Sequence, residues 1–543
     1  MRNIRFGTAK AMFAATVAFT SGVGTSATAQ DLGELVAPLS ISYYAADFGP
    51  RFEQSSRILA SEWEKLGLEL NLEPIQFSTF VSTINVGGGL EDIAFVSVGS
   101  DPDRVDPTYW TYDQSACGQR RNASKWCDET YSALADAQRS MVDQTKREAA
   151  VKELQQLHFE STPWWPVTHN VFGMLWNNDK WGNVLSPSPV NPAETQVNPW
   201  LNMKPLGDDR ILDWGYFEDV NTYNPLAEEG AVGWVRFIFD TFGKIDSDGS
   251  VMPWAAESWE FIDDTTLRIK LRAGMTFHDG KPVTADDAVF TLNKVIDVQP
   301  PSMAARIVTL DSAEMVDDLT FDIKMKMPDA SFVTTGLPFL FILPKHLWEN
   351  YEGDILARDV IEEGVVIGSG PFSFKEWRRN EVHELETHKA HWAAAEYDGL
   401  RRLSLGQPDA IRSALLSGQV DLATGILPTA AMDDLARQNE SLSFVDENSH
   451  GTTMVWVNNE KAPFNDLAFR QALRQSTNKD RVIMEAHLGF ANKAGSGPIP
   501  NQLSAWYDDS LPEVTFDIEA ARQILADAGY GWDKQGRLHY PAD

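Results

Sequence analysis

Two cysteines, Cys117 and Cys127, and a run of histidines, His383, His388 and His391, are the side chains whose spacing could carry chemistry. The histidines follow or lie within a partly alternating stretch, Val382 to Glu386, with no cysteine or paired carboxylate at ligand spacing. Structural zinc sites use tighter and more regular spacing, so neither a metal nor another cofactor is expected. The cysteines stand close together in a polar segment and, in an oxidising compartment, read as one short-loop disulfide. No G-x-S-x-G elbow, phosphate-binding loop, H-E-x-x-H pair or dinucleotide-binding glycine pattern occurs. Gly87-Gly88-Gly89 lacks the lysine and hydroxyl residue of a phosphate loop and reads as a turn. The chain is therefore expected not to be an enzyme; a secreted hydrolase is the alternative, and it lacks a nucleophile motif.

Residues 1–29 read as a secretory signal peptide. Arg2, Arg5 and Lys10 make a basic start, Ala11 to Thr20 is apolar, and Ala27-Thr28-Ala29 supplies a small-x-small cleavage pattern. No cysteine stands directly after that point, which argues against a lipid anchor, and no later run is apolar enough to span a bilayer. The remaining chain is long enough for two or three domains. Its net charge is −32, or −35 once the three cations of the leader are set aside. Such a surface argues strongly against nucleic acid as a partner and against docking on anionic lipid. Eighteen tryptophans suit either core or a ligand-holding cleft.

Behind these residues, α and β patterns alternate. Leu39 to Tyr44, Leu68 to Ile75 and Asp92 to Val98 read as strands, with helices over Phe52 to Leu66 and Phe77 to Val86 between them. A long helix is predicted from Ser124 to Glu160, broken near Asp143, followed by a strand-rich stretch from Trp164 to Trp176. Leu185 to Pro205 holds five prolines without periodicity and reads as a surface connection. Short strands follow at Arg210 to Trp214, Glu260 to Ile262 and Thr266 to Arg272. Thr284, with Asp287 three residues on, has the pattern of a capping box. The last 90 residues, after a strand at Thr452 to Val457, read as mainly helical. The fold class is α/β.

Several segments in order resemble the extracellular solute-binding proteins of family 5, which serve ABC importers of peptides, nickel, opines and some oligosaccharides. They are Trp254 to Phe261 (WAAESWEF), Leu267 to Phe290 (LRIKLRAGMTFHDGKPVTADDAVF), Gly368 to Phe372 (GSGPF), Arg412 to Ala423 (RSALLSGQVDLA), Val457 to Asp466 (VNNEKAPFND), Arg470 to Leu473 (RQAL) and Gly497 to Pro500 (GPIP). The resemblance implies a two-lobed periplasmic binding-protein fold of the type II, cluster C-like kind. It also implies capture of a small ligand between the lobes and delivery to an ABC permease in the inner membrane, with the protein acting as a periplasmic monomer. A ligand sensor docking on a receptor would share these features.

The order of the segments departs from the family. Ser61 to Gly67 (SEWEKLG), Asp101-Pro102-Asp103, Asn122 to Cys127 (NASKWC) and Thr162 to Pro166 (TPWWP) resemble the family's last third, yet here they come first. Ala520 to Tyr530 (AARQILADAGY) resembles the helix that usually precedes that third. The chain thus reads as a circular permutant, or as a fusion of gene fragments giving the same order. The expected layout is a first part of lobe II over 30–168, a nearly continuous lobe I over 169–451 containing the Pro-rich connection 185–205, and a second part of lobe II over 452–543. His169 and Gly451 should meet at the hinge.

Ligand-lining loops of the family map onto Asn221 to Asn224, Gly230 to Trp234 and Val98 to Asp101. The candidate substrate-binding residues are accordingly Tyr223, Asn224, Gly233, Trp234, Val98, Ser100 and Asp101. Dipeptide binders of the family anchor the ligand's carboxylate with an arginine and its amine with an aspartate. The matching positions here are Ala46 and Val98, so both ionic anchors are expected to be absent. A dipeptide zwitterion held in that way would keep an unpaired charge in a closed cleft, at a cost of about several kcal/mol. That shifts the expectation toward ligands held by hydrogen bonds and stacking, such as an oligosaccharide.

Overall fold

The computed structural model describes residues 32–45, 49–85, 88–184, 198–228, 234–424 and 427–542. The leader, Ala46, Gly233 and most of the Pro-rich connection lie outside these residues. Among the described residues no helix is long and apolar enough to cross a membrane.

The opening β-α-β pattern folds as the periodicity demands. The strand Leu39–Tyr44 pairs in parallel with Leu70–Ile75 on one side and Ile93–Val98 on the other. The helix Pro50–Trp63 connects them. Proline at its first turn presets φ, and Gly67 in the left-handed region closes the short 3-10 turn that follows. Phe77 to Val86 gives only a four-residue helix, Phe77–Phe80, running into a π turn at Val81–Asn85. The predicted long helix is two, Glu129–Ala137 and Gln144–Ser161, split because Asp143 caps the second through Lys146 N at 3.2 Å. The capping box is present: Thr284 N donates to Asp287 Oδ2 at 3.0 Å ahead of the helix Ala285–Val298.

Eleven described strands form one sheet, and two of them are much longer than the rest, at 14 and 16 residues. Trp164–Asn177 and Leu442–Val457 pair antiparallel from Trp164↔Trp456 to Asn177↔Leu442. At one end the second strand also pairs with Ile93–Val98; at the other, the first pairs with Leu422–Thr424. Only Thr452 to Val457 of the second strand was legible in the sequence. The preceding half, Leu442 to Gly451, carries Asp446, Glu447, Asn448, Ser449 and His450, whose polarity hides its extended conformation. The C-terminal region is also less helical than its pattern suggests, with helices at Leu467–Gln475 and Ile518–Asp527 separated by long irregular stretches.

Two large apolar cores flank these strands. One draws on residues from Met174 to Leu422, including Trp214, Trp254 and the four-stranded sheet around Thr266–Leu271. The other joins residues from Val36 to Val167 with residues from Met454 to Leu538, together with Ile245 and Phe339. The beginning and end of the described chain meet in this second core. Leu35 and His539 form an antiparallel bridge, Gly33 N donates to Tyr540 O at 3.1 Å, and Val36 N donates to Leu538 O at 3.0 Å.

Candidate functional site

Parallel strands aim their carboxyl ends at the place where the long strands pass from one core to the other. Val98 is level with Thr452, and the strand Ile211–Tyr216 runs parallel to Leu422–Thr424 on the opposite side. In open α/β sheets a crevice beyond the carboxyl ends of strands is where ligands bind. At the crossing, Val171 faces Asn448 and His169 faces Thr452, so Ser449, His450 and Gly451 bulge opposite the single residue Asn170. A β-carbon on Gly451 would lie 2.9 Å from Asn170 Nδ2 and 3.2 Å from Ser100 N, which is why a residue without a side chain sits there.

The bulge is polar and buried. His169 Nδ1 is 2.9 Å from Thr452 Oγ1, and burial holds the imidazole down to about 3, with the charge of Lys479 adding to the effect. His450 Nε2 is 3.2 Å from Asp101 O, and Gly451 N donates to Ser449 Oγ at 2.9 Å. Asn170 Nδ2 reaches Ser97 Oγ at 3.4 Å, while its Oδ1 is buried with no hydrogen-bond partner among the described residues. Tyr44, at the end of its strand, donates to Ser97 O at 3.1 Å and packs edge-on against Phe52 and Phe80.

The candidate residues separate on this frame. Val98, Ser100 and Asp101 lie at the crossing; Val98 packs into the second core, Ser100 is buried, and the Asp101 carboxylate is ion-paired with Arg104. Tyr223 and Asn224 are buried in the first core instead. The Tyr223 hydroxyl is 2.8 Å from His383 Nδ1, and Asn224 Nδ2 donates to Ile355 O at 2.8 Å while its Oδ1 accepts from Leu226 N. Trp234 packs on Tyr223 with ring centres 4.6 Å apart and donates to Glu228 Oε2 at 3.2 Å. Gly233 lies outside the described residues. The sequence missed His450, Asn170 and Ser449, since nothing about a polar stretch marks it as a strand crossing between cores.

The histidines form no common ligand set. His383 serves Tyr223 and lies 2.5 Å from Asp219 Oδ1, whereas His388 packs against His278 and His391 bonds Asp240 at 3.2 Å. Among the described residues no group of three His, Cys, Asp or Glu side chains could hold a metal ion. Cys117 and Cys127 are joined in a disulfide.

A second contact bridges the cores away from the strands. Arg147 and Asp106, both on segments of the second core's side, are buried and paired at 2.7 Å. Arg147 Nη1 reaches across to Ala330 O at 3.3 Å, and Thr334 donates a short hydrogen bond to Asp106 Oδ2.

The chain is similar in sequence to several known proteins. The chain is 29% identical over 319 residues to a candidate ABC transporter peptide-binding protein of Brucella ovis, covering 58% of each. It is 29% identical over 307 residues to heme-binding protein A of Haemophilus influenzae, covering 52% of this chain and 54% of that one. It is 26% identical over 332 residues to the oligopeptide-binding protein AppA of Bacillus subtilis, covering 60% of each. The chain thus spans a little over half the length of the curated relatives it matches. Among solved structures, a nickel ABC transporter protein of Bacillus halodurans aligns over 62% of this chain and 67% of its own at 20% identity, with a TM-score of 0.49. Residues 250–541 match the family model described as bacterial extracellular solute-binding proteins, family 5 Middle. The chain belongs to that family.

Proposed function

We propose that this protein is the periplasmic solute-binding component of an ABC importer, closing two lobes on a small ligand and presenting it to a permease. The observation that carries the reading is the crossing itself. Two cores are joined by a pair of continuous strands whose meeting point is a polar bulge at Ser449–Gly451 opposite Asn170. Strands crossing between lobes are natural hinges, because a few residues can absorb the change in backbone angles while each core moves as a body. The family match and the binding proteins among the relatives support the same reading. The chain has no catalytic role in this account, and it acts as a monomer.

The order of the chain is read as a permutation. Segments resembling the family's last third precede the matched region 250–541, and the two ends pair through Leu35 and His539. Ends that lie together at a surface allow a fold to be reopened elsewhere without loss of its core. The lobes then divide near His169 and Gly451, as 30–168 with 452–543 and 169–451. Val98, Ser100 and Asp101 would face the ligand from one lobe, with Tyr223, Asn224 and Trp234 shaping the other lobe from beneath its surface.

A thermal-shift screen of peptides, oligosaccharides, opines and metal chelates tests the function, because a ligand bound by the native state alone raises its melting temperature. A concentration-dependent rise with one chemical class is expected. A flat response across all classes would contradict the reading.

A further inference from the structure

We propose that the protein holds a second small-molecule site, apart from the strand crossing, which takes an α-amino acid with an apolar side chain. The site is a pocket of about 450 Å³ at the edge of the large sheet. One wall is the segment from Leu356 to Glu362, and the other is the hairpin turn that carries Trp377 and Arg379. That volume lies within the range of small-molecule sites. Trp377 belongs to the outermost strand, Phe372–Arg378, which stands five strand spacings from the crossing strand Trp164–Asn177. At about 4.8 Å per spacing the two places are about 24 Å apart, so a small ligand held at the crossing does not fill this pocket.

Both walls are fixed by side chains of the loop that follows the strand Ile211–Tyr216. Asn224 is buried, and its Nδ2 donates to Ile355 O at 2.8 Å, which ties down the start of the first wall. Asp359 then sets the turn of that wall, its Oδ1 accepting from Ile361 N at 3.2 Å and from Glu362 N at 3.0 Å. Buried Arg358 braces it from within, paired with Glu363 at 2.8 and 3.0 Å and lying over the rings of Trp348 and Tyr351. Asp219 holds the second wall, accepting from Trp377 Nε1 at 3.0 Å and from Asn380 N at 2.6 Å. Tyr223 also lines the pocket, and His383 fixes its hydroxyl at 2.8 Å. A ligand entering between walls held in this way pays little to order them.

The two walls carry opposite charge. Arg379 is exposed and lies over the Trp377 ring, 4.2 Å from guanidinium carbon to ring centre, a contact that steadies the cation. A guanidinium matches a carboxylate through two parallel hydrogen bonds. On the other wall Asp359 and Glu362 are exposed acids, suited to an ammonium group. A simple anion would be repelled by those two carboxylates and a simple cation by Arg379, whereas a molecule bearing both charges is attracted at both ends. Leu356, Val360 and Ile361 add apolar surface to the lining, and Ile361 is 36% exposed, which suits an aliphatic or aromatic side chain.

The test titrates the full protein with each common L-amino acid by calorimetry and maps the tightest binder by hydrogen–deuterium exchange. Saturable binding of at least one amino acid with an apolar side chain is expected, with added protection over 355–363 and 376–381 and none over 97–101, 168–171 or 448–452. The methyl ester of that amino acid lacks the carboxylate, and its N-acetyl form lacks the ammonium. Each should bind roughly tenfold more weakly or worse, as when a charge-assisted hydrogen bond is removed. Arg379→Gln and Glu362→Gln should each weaken the free amino acid by a similar factor, and without ligand both should melt with the unaltered protein, because both side chains are exposed. The amino acids used here are absent from the panel of peptides, oligosaccharides, opines and chelates, so the two sites are read separately. No binding by any amino acid would overturn the proposal and leave the binding-protein reading standing. So would protection confined to the crossing, or an ester and an N-acetyl form that bind as tightly as the free amino acid.

Discussion

His169 Nδ1 and Thr452 Oγ1 lie 2.9 Å apart on facing strands at the point where the chain passes from one apolar core to the other. The Thr452 hydroxyl donates to His450 O at 2.9 Å, which leaves the Nδ1–H of His169 to donate to Thr452 Oγ1. One hydrogen-bond chain therefore links the bulge to the strand opposite. Because both residues are buried, the geometry at the crossing is held by a contact that water does not replace.

Thr452→Val keeps the shape of that side chain but strands a buried imidazole N–H. The expected loss is about 1–3 kcal/mol, seen as a lower urea midpoint with an unchanged slope. An unchanged midpoint would show that the contact contributes nothing at the crossing.

The Arg147–Asp106 pair separates the stability of one core from its contact with the segment carrying Ala330 and Thr334. Asp106→Ala leaves a buried guanidinium without its carboxylate and should cost about 3–5 kcal/mol. Thr334→Val leaves the pair intact and removes the bond to Asp106 together with the hydroxyl's local bond to Ser331 O, costing about 1 kcal/mol. Small-angle scattering of ligand-free Thr334→Val should show a more open average shape. Equal unfolding midpoints for the two variants would contradict this division.

Acid should weaken the fold before it affects most carboxylates. Burial holds His158 and His169 down to about 3 and His278 to about 4, against about 6.5 in an unfolded chain. These groups are depressed in the native state. Their contribution is therefore full above about pH 6.5 and is lost progressively as pH falls toward their folded values, since the unfolded chain takes up the protons. Urea midpoints between pH 7.5 and 5 should fall. A rise across that window would mean that relief of the −32 net charge outweighs the buried histidines.

The Cys117–Cys127 disulfide closes a short loop whose reduction should cost about 2–3 kcal/mol. Thiol titration of the unfolded, unreduced protein should find no free thiol. Two titratable thiols would rule the bond out in solution.

Much of this was legible in the sequence, and what was not has a common cause. Strands with one apolar face, such as Leu39–Tyr44 and Thr266–Leu271, and caps with a side-chain acceptor, such as Asp143 and Thr284, announce themselves because the pattern is the physics. Leu442 to Gly451 does not, because a strand between two cores need not be apolar; its polar residues are set by the crevice. Tyr223 and Asn224 were singled out as loop residues of a ligand wall, yet their polar atoms are spent on His383 and on backbone groups.

Native mass spectrometry of the full protein tests the central claim most directly. The protein would be incubated with the peptide, oligosaccharide, opine and chelate panel and sprayed intact. The account predicts a single small molecule per chain, saturable, competed by its own class, and recovered at unchanged mass when the protein is unfolded. No adduct with any class, or recovery of the compound as a cleaved or altered product, would contradict it.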